Sequence, residues 1–255
     1  MVAEERRSRL LEVIRLKGFA SLPDLADALE VSESTVRRDL SQLEQEGAAQ
    51  RTHGGAFYTG PSPNLPHFDR RQAEQWEEKR GIAEAAAGLI ENGDTILLDG
   101  GSTTYELARL LVGRSLQVVT NSLPIANLFL SDPNTDVIVL GGYVHGRSGA
   151  IHGRYTDEML RTLNVRRAVL SAAGVTERGV FNSNLLLVET EQAMMRAADE
   201  VILVTDSTKY GHQSLALVCP LSKINTFVVD EGLTSDWRGR IESAGAKLVI
   251  ATTAK

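Results

Sequence analysis

Between Val31 and Leu43 the apolar residues Val36, Leu40 and Leu43 recur at the spacing of one helix face. At about 3.6 residues per turn, Ser34, Arg38, Ser41 and Gln45 point the opposite way, with Thr35, Arg37 and Gln42 on the flanks. Ser32 stands just before this pattern and is a good N-cap, because its hydroxyl can accept a free backbone N–H of the first turn. A second stripe, Leu22, Leu25, Ala26 and Leu29, lies upstream. It opens with Ser21-Leu22-Pro23-Asp24, a hydroxyl cap with proline in the first turn and a carboxylate three residues after the cap. Only Glu30-Val31-Ser32 separates the two helices, which is the tight spacing of a helix-turn-helix. A preceding helix is expected from Glu4 to Lys17, with Leu10, Val13, Ile14 and Leu16 inward and Gly18 ending it. After the arginine-bearing helix, Gly47 supplies a stop. Ala48 to Phe57 then reads as a small hairpin, a wing with Gly54-Gly55 near its tip.

The pattern changes after the wing. Thr59-Gly60-Pro61-Ser62-Pro63-Asn64-Leu65-Pro66 is a linker signal. From Asp69 to Ile90 the pattern is helical, with Ala83, Ala86, Ala87 and Ile90 inward. Beyond Asp94, short apolar runs alternate with helical segments. Strands are expected at Thr95 to Leu98, Leu116 to Thr120, Val137 to Leu140, Arg167 to Leu170, Val201 to Thr205, Thr226 to Val229 and Lys247 to Ile250. Helices are expected near Thr104 to Val112, Leu123 to Leu130, Asp157 to Leu163, Val188 to Ala198 and Ser235 to Ala244. Nearly continuous β-branched runs between helices imply an α/β domain whose mostly parallel sheet is covered on both faces. The expected organisation is a winged helix-turn-helix domain at 3–58 (helix-turn-helix about 20–39), a linker at 59–68 and an α/β domain at 69–255.

Composition adds limits. A chain of 255 residues, 42% hydrophobic and 24% charged, has room for one small and one medium globular domain. The net charge is −6, and residues 1–55 carry eight Lys/Arg against ten Asp/Glu, a net of −2. Nucleic-acid binding therefore has to come from the placement of charge rather than its sum. The one cysteine, Cys219, excludes an internal disulfide, fits a reducing cytoplasm, and reads as inert packing beside Pro220. There is no apolar run of transmembrane length and no signal-peptide pattern, so no membrane association is expected.

A short helix held by one stripe, with arginines and hydroxyls outward, suits the major groove of double-stranded DNA. Arginine can bond a guanine edge bidentately, and serine or threonine can take phosphates or bases. The candidate contacts are Ser34, Thr35, Arg37, Arg38 and Ser41 on the helix, with Arg51 and His53 on the wing. The competing reading of Arg37 and Arg38 is a solvated face paired with Asp39 or Glu33. Arg6, Arg7 and Arg9 fit either a phosphate backbone or a solvated face. One recognition helix covers too few base pairs for a unique address, so a homo-oligomer, dimer or tetramer, on repeated half-sites is expected.

In parallel sheets, ligands bind outside the carboxyl ends of the strands. There the sequence places Asp99, Gly101, Ser102, Thr103 and Thr104, then Asn121 and Ser122, then Gly141 and Gly142, then Asp206 and Lys209. Glycines allow close backbone approach, hydroxyls at a helix start suit an anionic oxygen, and Lys209 adds positive charge. Asp99 and Asp206 suit sugar hydroxyls. Together they describe a pocket for a small phosphorylated polyol, although each loop alone is ordinary turn chemistry. No Walker loop or dinucleotide fingerprint is present, and no catalytic, metal or cofactor site is assigned.

Ser32-Glu33-Ser34-Thr35-Val36-Arg37-Arg38-Asp39-Leu40, followed by Gly47 and Arg51-Thr52-His53-Gly54-Gly55-Ala56, resembles the DeoR family of bacterial transcription regulators. The resemblance continues through Lys79-Arg80-Gly81-Ile82-Ala83, Leu98 to Thr104, Val119 to Ser122, Leu140-Gly141-Gly142 and Asp206 to Gly211. It implies an effector domain similar in fold to ribose-5-phosphate isomerase and glucosamine-6-phosphate deaminase. It further implies a repressor of a sugar or sugar-derivative catabolic operon, released by a phosphorylated sugar intermediate. Two segments depart from the family pattern. Ser171-Ala172-Ala173-Gly174 stands where many members have Gly-Ala before the glycine, and Ser207-Thr208-Lys209-Tyr210-Gly211 where Ser-Ser-Lys-Phe-Gly is more usual. The alternative is a sugar-phosphate isomerase or deaminase with an accessory DNA-binding domain, using Asp99, Asp206 or Glu189 as acid or base. A complete helix-turn-helix and wing would have no use in such an enzyme.

Overall fold

A computed structural model describes residues 3–17, 19–51, 55–58 and 68–252 of the chain. Two compact units result, Met1–Pro66 and His67–Lys255. The first contains helix α1 (Ala3–Lys17), strand β1 (Phe19–Ser21), α2 (Leu22–Leu29), α3 (Glu33–Gln45), β2 (Ala49–Arg51) and β3 (Gly55–Tyr58). The apolar stripes meet in one core: Leu10 and Ile14 from α1, Leu22, Leu25 and Leu29 from α2, and Val36, Leu40 and Leu43 from α3. Ser32 caps α3 by accepting the Thr35 N–H at 3.4 Å. The helix ends in a Schellman turn: Gly47 adopts φ +71°, its N–H donates to Glu44 O at 3.0 Å, and Ala48 N–H donates to Leu43 O at 2.9 Å.

Two features of this unit differ from expectation. The wing is a three-stranded antiparallel sheet, in the order β1-β3-β2, because the chain entering α2 adds a strand. Arg6 does not face outward to a phosphate backbone. Its guanidinium grips the buried Asp39 of α3, with Nε 2.5 Å from Oδ2 and Nη2 3.1 Å from Oδ1. Gly18, His53, Gly54, residues 59–67 and the side chains of Leu16 and Ser21 lie outside the described residues.

The second unit opens with α4 (Phe68–Ala73) and α5 (Trp76–Ala87). The single helix expected from Asp69 to Ile90 is thus broken, where Gln75 takes the left-handed conformation at φ 52°. The chain continues through β4 (Thr95–Leu98), α6 (Ser102–Leu111), β5 (Leu116–Thr120), α7 (Leu123–Phe129) and β6 (Thr135–Val139). Next come β7 (Tyr143–His145), β8 (Ala150–His152), α8 (Arg154–Leu160), β9 (Val165–Leu170), β10 (Gly174–Thr176), β11 (Gly179–Asn182) and α9 (Leu185–Arg196). The last elements are β12 (Ala198–Val204), a 3-10 turn at Ser207–Lys209, β13 (Ala216–Cys219), a second 3-10 turn at Leu221–Lys223, β14 (Thr226–Asp230), α10 (Ser235–Ser243) and β15 (Lys247–Ala251).

Seven strands form one sheet, in the order β15-β14-β12-β9-β4-β5-β6, and every neighbouring pair is parallel. Alternate residues of each strand feed opposite faces. Ile96, Leu98, Val169, Ile202, Val204 and Val228 join the core shared with α5, α6 and α7. Leu97, Ala168, Leu170, Leu203, Phe227 and Val229 join the core shared with α8, α9 and α10. Burial on both faces is why these strands read as unbroken apolar runs. Two small antiparallel sheets, β7-β8 and β10-β11-β13, were not anticipated. No helix among the described residues is long and apolar enough to cross a membrane.

Candidate functional site

Helix α3 buries Val36, Leu40 and Leu43 and turns Ser34, Arg37 and Arg38 outward. Arg37 is held by Glu33 one turn earlier, at 3.4 Å. Arg38 is exposed and makes no ion pair among the described residues. Ser34 and Thr35 hydroxyls lie 2.8 and 3.0 Å from Ser32 Oγ, so both belong to the cap of the helix. Ser41 donates to Arg37 O at 2.8 Å, and Arg51 Nη1 of the wing donates to Ser41 Oγ at 2.5 Å. Arg51 N–H also donates to Glu44 Oε1 at 3.1 Å. These contacts bring the wing arginine onto the same face as the helix hydroxyls. His53 lies outside the described residues.

In the large sheet the strand order reverses between β4 and β9, the first and fourth strands in sequence. Such a switch point opens a crevice at the carboxyl ends of the strands. Asp99 and Ser171 face each other there. Asp99 is buried, its N–H donates to Val169 O at 3.1 Å, and Ser171 Oγ donates to its carboxylate at 3.3 Å. Burial pushes the Asp99 carboxyl up, against the pull of the Gly100 and Ser171 N–H groups, the Ser171 hydroxyl and the Arg71 charge. A Cβ on Gly101 would stand 2.1 Å from Ser171 Oγ, so that glycine lets Ser171 pack against the start of α6.

The other predicted residues divide by how their polar atoms are used. Thr104 is fully buried; its hydroxyl accepts the Gly101 N–H at 2.9 Å and lies 2.6 Å from Asp99 O, which occupies it inside the turn. Ser122 caps α7 through the Ile125 N–H. Asp206 caps the 3-10 turn, accepting from Thr208 N–H at 3.2 Å and from the Thr208 hydroxyl. Gly142 adopts φ +151°, and a Cβ there would meet Thr156 Oγ1 at 2.3 Å, while Gly141 N–H donates to Met159 Sδ at 3.2 Å. Both glycines therefore serve the packing of β8 and α8. Four predicted groups remain at this edge with polar atoms not spent in this way, although Asn121 Nδ2 donates to Ile151 O at 3.1 Å. Ser102 and Thr103 sit in the first turn of α6, Asn121 Oδ1 is buried without a partner, and the half-buried Lys209 forms no ion pair with Asp206.

Three further polar groups at this edge were not assigned to the site from the sequence, although Lys79 lies in a segment that carries the family resemblance. Lys79 of α5 is buried, and its ammonium donates to the carbonyls of Arg71 and Glu74. Burial lowers its pKa, opposed by the negative charge of Asp206 and aided by the positive charge of Lys209. Arg71 of α4 has its Nε buried without a partner and lies within electrostatic reach of Asp99 and His145. Glu191 of α9 is buried; Oε1 accepts Asn182 Nδ2 at 2.5 Å and Oε2 has no partner. Burial, then the neighbouring Asp99 charge, push its carboxyl well above the usual range, against the Asn182 hydrogen bond. Glu189, the carboxylate expected to be available, is exposed.

A raised carboxyl pKa costs stability as pH rises from the ordinary glutamate range toward the folded value. Glu191→Gln keeps the amide acceptor and removes the ionisation. Its melting temperature should exceed that of wild type at neutral pH, and the gap should close as pH falls below about 4.3. A gap that stays constant across a pH series of thermal melts contradicts a raised Glu191 pKa. The open cavity of about 630 Å³ lined by Glu177, Leu221, Asp236 and Arg240 includes none of the predicted site residues.

The profile described as the DeoR-like helix-turn-helix domain matches residues 6–60, and that described as the DeoR C terminal sensor domain matches residues 74–231. The chain belongs to the DeoR family. An HTH-type transcriptional regulator of Escherichia coli strain K12 is 34% identical over 98% of this chain and 99% of its own. The glycerol-3-phosphate regulon repressor of the same organism is 31% identical over 90% of this chain and 92% of its own. Among solved structures, ribose 5-phosphate isomerase A from Methanocaldococcus jannaschii is 19% identical, with a TM-score of 0.38 over 52% of this chain and 53% of that one. As a DeoR-family transcriptional regulator, the chain places its DNA-reading motif in the first unit and its sensor fold in the second.

Proposed function

We propose that this regulator represses an operon for catabolism of a sugar or sugar derivative, and that a phosphorylated sugar bound at the carboxyl edge of the sheet releases it from DNA. The observation that carries the reading is the edge itself. Buried Asp99, unpartnered Asn121 and Glu191 oxygens, and the cations Lys79, Arg71 and Lys209 gather there, on a chain whose other unit turns Arg38 to solvent. Hydroxyl-bonding carboxyls beside cations suit a polyol with an anionic group. The glycerol-3-phosphate regulon repressor among its relatives supports repression as the mode of control. In this reading the DNA-binding domain spans 3–58, the linker 59–68 and the sensor 69–255, and the protein works in the cytoplasm as a dimer or tetramer on repeated half-sites.

Linkage gives the test. A ligand that weakens operator binding by some factor must itself bind more weakly, by the same factor, when operator is present. DNA selected from a random pool by the full-length protein serves as operator. It is titrated in the presence of a panel of sugar phosphates and polyol phosphates, including glycerol 3-phosphate. One compound should weaken operator binding by about tenfold or more, within the ~5–150-fold range of typical coupling. Tighter binding would make the ligand a co-repressor and reverse the sign. Turnover of any panel member would favour the isomerase or deaminase alternative.

A further inference from the structure

The element on which the chain enters the second unit is α4, and it carries Arg71 to the same edge as Asp99. Among the described residues, its attachments are two hydrogen bonds and one ring contact to the rest of the unit, besides those of Lys79. Phe68 N–H donates to Arg147 O at 3.1 Å, the Phe68 ring meets Tyr105 edge-on at 5.3 Å, and Gln72 Nε2 donates to Glu106 Oε1 at 3.2 Å. Its carboxyl end is held by the buried Lys79 ammonium, which donates to the carbonyls of Arg71 and Glu74. Arg71 itself lies over the Phe68 ring, 5.9 Å from its centroid, but has no ion pair within 4 Å among the described residues, and its Nε is buried with nothing to donate to. A guanidinium left this way is a donor waiting for an anionic oxygen.

The local charge agrees. Arg71, Lys79 and Lys209 bring three cations to the edge, and Lys79 senses the charges of both others. Asp206 spends its carboxylate on the 3-10 cap, and Asp99 is hydrogen-bonded to Ser171. Tyr105 and Glu106, which α4 touches, belong to α6, whose first turn opens onto the crevice at Ser102.

We propose that Arg71 is the anion contact of the effector and that α4 is the element through which occupancy is passed toward the linker, with Lys79 as the positioning residue that fixes the end of α4. The inference rests on the effector reading above and adds to it the residue and the segment. An anion bound by Arg71 stabilises the docked form of α4, and residues 59–67 continue directly from it. A contact made in only one of two arrangements is what allows a ligand to shift the balance between them.

The test uses the full-length protein, with inorganic phosphate and the sugar-phosphate panel as probes. Amide exchange in residues 68–74 is followed with and without each probe. Binding is measured by calorimetry for wild type, Arg71→Ala and Arg71→Lys, with Arg196→Ala, at the exposed end of α9, as a control. At least one probe should slow exchange in α4 of the wild type. Arg71→Ala should weaken that probe by about tenfold or more, the usual loss for a hydrogen bond to a charged group, and abolish the protection. Arg71→Lys should fall between, and Arg196→Ala should behave as wild type. Absence of α4 protection by every probe in the wild type overturns the proposal without recourse to a variant. A probe that shifts operator affinity equally in wild type and Arg71→Ala overturns Arg71 and leaves the effector reading standing. A probe whose binding depends on Arg71 but leaves operator affinity unchanged does the reverse.

Discussion

Arg38→Ala is expected to lower affinity for the selected operator by ~1–3 kcal/mol, roughly five- to 150-fold, with the fold intact. The residue lies opposite Val36, Leu40 and Leu43, which hold α3 in the core, so its truncation opens no cavity. It also removes no ion pair among the described residues, in contrast with Arg37, which is held by Glu33 at 3.4 Å. Arg37→Ala should therefore cost less. The two possible partners of Arg38 are separable. If it reads a base, discrimination relaxes at one position of the site. If it takes a phosphate, binding weakens uniformly and the salt dependence falls by about one ion. With eight basic and ten acidic residues in positions 1–55, no bulk attraction can hide the loss. Unchanged operator affinity of Arg38→Ala in a gel-shift titration would remove α3 from the groove.

The apolar pattern made most of this fold legible. All seven runs expected as strands fall in the large sheet, because strands buried on both faces leave little room for polar residues. Boundaries moved where pairing decided them: the run expected from Val137 to Leu140 pairs from Thr135 to Val139, along β5. The β7-β8 and β10-β11 hairpins escaped because three- or four-residue strands among glycines give too short a period to read. The edge residues were legible only in part. Loop residues such as Asp99 and Asn121 follow strands and announce themselves, whereas Arg71 and Lys79 come from helices that look amphipathic and solvated in sequence. Glu191 could have been found. It lies four after Leu187, three after Val188 and three before Met194, all buried, so the helical period placed it inside while Glu189 fell outside. Arg6 needed the fold, because nothing in its own helix announces a partner thirty-three residues away.

At the end of the sheet opposite the proposed effector edge, Asp94→Ala is expected to cost about 3 kcal/mol of stability in the second unit. Asp94 precedes β4 and is nearly inaccessible. It accepts the Glu91 N–H at 2.9 Å, Arg166 Nη1 at 2.6 Å and Arg167 Nη1. Arg167 is itself buried in β9, and its Nε reaches Glu200 of β12 at 3.0 Å, so one carboxylate ties three neighbouring strands. Truncating Asp94 leaves the buried Arg167 guanidinium with only the exposed carboxylates of Glu200 and Glu91, at 3.0 and 3.8 Å, and the loss of its one buried partner is why removing Asp94 costs more than the pair itself contributes. The pH dependence follows the same logic. Burial alone would push the Asp94 carboxyl up, but the Glu91 N–H and the charges of Arg167 and Arg166 outweigh it and hold the pKa below the usual range. A depressed carboxyl contributes stability that is present above the unfolded pKa and is lost as pH falls through the folded one. The gap between wild type and Asp94→Ala should therefore be full at neutral pH and narrow below about pH 4, as the wild-type carboxyl takes up its proton. Denaturant titrations of both proteins, read on the transition of the second unit at a series of pH values, measure it. A gap under about 1 kcal/mol at neutral pH, the size of a surface ion pair, would mean that water rather than Asp94 neutralises Arg167.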